Sequence, residues 1–184
     1  MRPMLDRFIH RVAIGMALAG GIVLCAVIVM VGLSVLGRAS SDLAHGLRDS
    51  LPFAQVLIDL GLGAIRGDFE LVEAALGFVI FAFMPLASLQ RAHARVDLLT
   101  PYLPRGVKRG SNHLSAWGFA TAFAVMAAML SVGTWSKYQS GQTSFILAIP
   151  VWMPQAAAVI AAWVAAIVAL YVAMRQFGQG SQDE

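Results

Sequence analysis

Charge is what this sequence has least of. Asp, Glu, Lys and Arg make up 12% of its 184 residues, where a soluble domain carries about a quarter. With 59% hydrophobic residues and a mean hydropathy of +0.74, lipid rather than water is the expected solvent. Cysteine is nearly absent as well. Cys25 stands alone inside an apolar run, so no intrachain disulfide can form, and it reads as a small buried or lipid-facing side chain. The four histidines, His10, His45, His93 and His113, lie outside the apolar runs. No span therefore carries the paired mid-helix histidines of a haem site. No cysteine pair or His-x-x-x-His spacing offers a metal site, and no glycine-rich phosphate loop occurs. The largest piece between apolar runs is 32 residues, too small for a soluble catalytic domain. These absences argue against an enzyme, a haem-bearing one included, and no cofactor is expected. Nucleic acid is excluded as a partner despite a net charge of +3, because the basic residues gather at the ends of apolar runs and form no aromatic-interleaved stripe.

What is present is a set of long uncharged runs. Residues 12–36, 69–89, 114–135 and 151–174 predict four transmembrane helices in one four-helix membrane domain over 1–184. The first run has 25 residues, roughly 37 Å of helix, enough for a hydrocarbon core of about 30 Å with some tilt. It is far longer than the roughly 7–15 residues of a signal-peptide core, so it is read as a retained span. Topology follows from the basic residues. Three in the N-terminal segment, five between Gln90 and His113 and one in the tail make nine on one side, against four on the other. Both termini are therefore expected in the cytoplasm. Trp135, Tyr138 and Trp152 then mark the outer interface, and Tyr102, Trp117 and Tyr171 the inner one. In the first outer connection, taken as Gly37 to Asp68, the segment Leu51 to Ile65 is too apolar for a free loop and too interrupted to span. It is expected to lie at the interface, against a partner or lipid, or to fold back on the protein's own helices.

Four groups of residues invite a functional reading. Asp68, Glu70 and Glu73 open the second span, where acids suit the positive end of the helix dipole and Asp68 can act as N-cap. Glu70 and Glu73 are interfacial groups that pair with a partner or with Arg38 or Arg66, or else a proton or ion site. Arg91, His93, Arg95 and Asp97 alternate in the basic connection, which fits either anchoring beside anionic membrane lipid or a specifically folded amphipathic piece. Pro85 is expected to kink the second span. Ala157, Ala161, Ala165 and Ala169, with Ala158, Ala162 and Ala166 beside them, form a flat face for close helix packing.

Three stretches resemble the small membrane subunit, of the DctQ type, of tripartite ATP-independent periplasmic (TRAP) transporters. They are Gly67 to Glu73, with Glu73 at the recurrent acid, Ala92 to Asp97 followed by Leu103 and Pro104, and Gly141-Gln142 through Ile149, Pro150, Val151 and Trp152. Ala92 departs from the glycine usual before the histidine. The resemblance implies a non-catalytic scaffold in the bacterial inner membrane. Its partners would be a large membrane subunit carrying the sodium and solute sites, and a periplasmic solute-binding protein delivering a carboxylate-bearing solute for ion-driven uptake. Glu70, Glu73, Arg91, His93, Arg95, Asp97, Pro150 and Trp152 are the interface or structural candidates. The alternative from the residues alone is a self-sufficient homo-oligomeric carrier coupling protons through Glu70 and Glu73.

Overall fold

The computed structural model describes residues 2–46, 65–90 and 105–179. These form four helices: α1 (Arg2–Gly46), α2 (Asp68–Leu89), α3 (Arg105–Ser140) and α4 (Trp152–Gln179). Among the described residues the only extended pairing is an isolated bridge between Thr143 and Pro150. Each helix holds a stretch long and apolar enough to cross a membrane, Met4–Asp42, Asp68–Leu89, Leu114–Ser140 and Trp152–Arg175. The expected all-α, four-span architecture is what the chain adopts.

The helix ends differ from the ends of the apolar runs. α1 continues through Arg38 and Asp42 to Gly46, so the start of the expected outer connection is helix. α3 begins at Arg105, well before Leu114, and passes Lys137 to reach Ser140. The reason is physical. A charge ends burial in lipid, but it does not end backbone hydrogen bonding, and neither extension contains a proline. The 45 residues of α1 reach roughly 68 Å at about 1.5 Å each, about twice the hydrocarbon core. α2 runs without interruption through Pro85, which is buried. The segment Leu51 to Ile65, apart from Ile65, and the stretch bearing Arg91, His93, Arg95 and Asp97 lie outside the described residues.

The helices pack in the order α1, α2, α4, α3, and α1 touches α4 only lightly. α4 is central because its residues are small. Ala158, Ala161, Ala162, Ala165, Ala166 and Ala169 are all buried, on the face the alanine repeat predicts, so both neighbours approach closely. Against α3, Ala166, Ala169 and Ala173 meet Ala120 and Phe123. Trp163, mid-span in α4, donates its indole N–H to Ser131 Oγ of α3 at 3.1 Å. Between α1 and α2 the contact is equally close: a Cβ at Gly20 would lie 2.9 Å from that of Ala82. At the end where α1 begins and α4 finishes, the Tyr171 hydroxyl donates to the Asp6 carboxylate, and Arg175 Nη1 is 3.7 Å from the same acid. The outward residues of the flanking helices, such as Ile22 and Val29 on α1 and Met129 and Val132 on α3, are exposed and apolar. In lipid that exposure carries no penalty.

Candidate functional site

The acids and the polar loop meet at the other end of the helices. α3 stops at Gly141, which takes φ +63 and donates its N–H to Tyr138 O at 3.3 Å. The chain then closes a short turn. Ser144 N–H bonds Ile149 O at 2.9 Å, and Val151 N–H bonds Gln142 O at 3.0 Å. Ala148 takes φ +52 to make the corner. Pro150 sits in the bridge with Thr143, and its carbonyl accepts from Met153 N–H at 3.2 Å as α4 begins. The Trp152 ring meets Tyr138 edge-on, with centroids 5.3 Å apart, and Tyr138 meets Trp135 at 5.7 Å. Pro150 and Trp152 thus join the loop to α4 and α4 to the end of α3.

Glu70 holds this loop. Its Oε2 accepts from Ser144 Oγ at 2.7 Å and from Leu147 N–H at 3.0 Å, and its Oε1 accepts from Ile146 N–H at 2.8 Å. Two of these donors are backbone groups of a turn whose own ladder leaves them free, so the carboxylate completes the turn from another helix. The apolar tip it fixes, Phe145 and Ile146, stands exposed. Leu147 folds inward over Gly67, where an added Cβ would lie 2.6 Å from Leu147 Cγ.

Asp68 makes a second link. Its Oδ2 accepts from Ser34 Oγ of α1 at 2.6 Å and pairs with Arg38 of the same helix. Ser34 Oγ is fully enclosed: it also receives Ile65 N–H at 3.2 Å, and Arg38 Nη2 lies 3.3 Å away. This corrects the expectation that Asp68 caps α2. Gly67, in the left-handed conformation, occupies the N-cap position without a side-chain bond. Asp68 is the first helical residue, and only its Oδ1 serves the helix, accepting the next N–H at 2.9 Å. The partner of Arg38 is likewise Asp68 rather than Glu70 or Glu73. Ser34 was not legible as a site residue from an uncharged run, although Ser34 and Arg38 stand four apart, on one helix face.

Glu73 takes no part in either link. It is exposed and lines a cleft of about 650 Å³. The cleft lies between α2 and α3, with α4 as its floor and the 142–151 turn over its end. Lys137 and Gln155 line it too, and Gln155 Oε1 is buried without a hydrogen-bond partner. Among the described residues no group of three or more His, Cys, Asp or Glu side chains is placed to hold a metal ion. What the arrangement does chemically is fasten: one acid ties α2 to α1 and the next ties α2 to the turn between α3 and α4.

A family model described as tripartite ATP-independent periplasmic transporters, DctQ component, matches residues 50–179. The match takes in α2, α3 and α4 and begins after α1. No curated protein and no solved structure matches the chain.

Proposed function

The chain belongs to the DctQ family, the small membrane component of tripartite ATP-independent periplasmic transporters, and from that premise we propose that it is a non-catalytic scaffold. It holds the large membrane subunit in the bacterial inner membrane during ion-driven uptake of a carboxylate-bearing solute. A periplasmic binding protein delivers the solute, and the sodium and solute sites belong to the large subunit. Both chain termini face the cytoplasm, and the 141–151 turn faces the periplasm.

The observation that carries this reading is where the acids are spent. Asp68 and Glu70 fasten helices at the head of α2, and from Ala74 to Leu89 no acid, base or histidine follows. Residues 12–36, 114–135 and 151–174 are equally bare. A secondary carrier places its coupling and substrate groups near the bilayer midplane, and this chain has none to place there. Membrane vesicles carrying the chain alone should show no gradient-driven solute uptake, while vesicles carrying it with its large membrane subunit and binding protein should. Uptake by the isolated chain would end the scaffold reading.

One observation favours the self-sufficient carrier: Glu73 is exposed and pairs with no described residue. If Glu70 and Glu73 carried protons, replacing both with Gln would abolish transport and leave assembly intact. The scaffold reading expects assembly to weaken instead.

A further inference from the structure

The cleft beside Glu73 has a polarity pattern that fastening the helices does not use. Toward the head of α2 it is lined by Glu73, Lys137 and Thr143, and further along the helices by Phe81, Leu130 and Ala158. From Glu73 to Phe81 is about eight residues, roughly 12 Å along the helix axis. Polar therefore gives way to apolar over the distance at which a lipid passes from head group to chain. The volume, about 650 Å³, falls within the roughly 300–1,000 Å³ of small-molecule sites.

Three polar groups here lack partners. Among the described residues neither Glu73 nor Lys137 forms an ion pair, with the other or elsewhere. Gln155 Oε1 is sealed from solvent with no donor, a costly state for a polar atom. The unmet needs are thus a cation beside Glu73, an anion beside Lys137, and an apolar body further along the helices.

We infer that the cleft binds a zwitterionic phospholipid with a primary ammonium head group, drawn from the leaflet at the Glu73 end. The ammonium donates to the Glu73 carboxylate. Lys137 meets the phosphate, and the upper part of one acyl chain runs down past Leu130 and Phe81. A choline head group has no N–H to donate, and a glycerol head group has no cation. The inference requires a chain that crosses a bilayer, not the scaffold role, so lipid retention and solute uptake fail independently.

The test is native mass spectrometry of the full chain, purified alone and together with the large membrane subunit. Each sample is offered phosphatidylethanolamine, phosphatidylcholine and phosphatidylglycerol of matched chains. The expected result is roughly tenfold preferential retention of phosphatidylethanolamine, the scale of a hydrogen bond to a charged group. Glu73→Gln should erase its advantage over phosphatidylcholine, and Lys137→Gln should lower retention of both. Equal retention of the three lipids by the wild-type chain overturns the inference, and that comparison needs no variant to fold. So does retention unchanged in both variants. So does a crosslink from position 137 that captures the large subunit while the complex holds no lipid, since the cleft is then a protein interface.

Discussion

Glu70 and Glu73 stand three residues apart on one helix, yet only one of them is occupied. Glu70 accepts from Ser144, Ile146 and Leu147, whereas Glu73 faces an open cleft. A glutamine at 70 has one acceptor oxygen and turns an amide N–H₂ toward backbone N–H groups, so at least one bond is lost. Glu70→Gln should therefore speed hydrogen exchange at the Ile146 and Leu147 amides, on the order of tenfold. Glu73→Gln should leave both amides as they are; equal protection in the two variants would mean that Glu70 does not hold the turn. Gly67 gives a second test of the same joint. Its φ of +77 costs an alanine about 1–2 kcal/mol, and the new Cβ would also strike Leu147, 2.6 Å away. Gly67→Ala should lower the melting temperature by several degrees. Combining it with Leu147→Ala should relieve the clash but not the backbone strain, so the two changes are expected to be non-additive. Of these roles, the sequence showed only that acids cluster at the head of a span. Which acid bonds which helix depends on the turn at 141–151 folding back over α2, and no local pattern around Glu70 encodes that.

At the scale of elements, the alanine face of α4 was legible and the helix ends were not. Small residues every four positions must pack or leave a groove, so Ala158 to Ala169 announce a close contact from periodicity alone. That α4 serves two neighbours at once, α2 and α3, could not be read from one helix. Hydropathy locates the membrane boundary, whereas helix termination needs a cap or a breaker, so the helices run past the apolar runs. α1 passes its boundary at Arg38 because Arg38 has a use there, pairing with Asp68 at the head of α2. The tight α4 contacts predict a sharp asymmetry between its faces. Ala165 is completely buried and Ile167 is 60% exposed. Ala165→Leu adds volume where no space exists and should destabilise by about 1–3 kcal/mol, read as a lower melting temperature in detergent. Ile167→Leu should leave the melt unchanged. Equal responses would mean that α4 is not the packed centre.

For the whole molecule, the row of four helices divides its polar chemistry between two ends. One end has Asp6 with Tyr171 and Arg175; the other has Asp68 with Ser34 and Arg38, and Glu70 with the turn. Among the described residues no charged side chain lies at 12–37 on α1, 74–89 on α2, 114–136 on α3 or 152–174 on α4, so each end should stay in its own aqueous compartment and the two should report opposite sides of one membrane. The charge count predicts which side is which. Nine basic residues accompany the termini and the Gln90–His113 stretch, while four accompany Arg38 to Arg66 and Lys137. Retention of basic loops in the cytoplasm then predicts Asp68 and Glu70 outside. In a Cys25→Ser background, single cysteines at Asp42 and Lys137, one near each connection at that end, should react with a membrane-impermeant maleimide in intact spheroplasts. Cysteines at Arg7 and Arg175 should react only after lysis. Labelling of 42 and 137 on opposite sides would break the four-span arrangement itself. Labelling of both only after lysis would invert it.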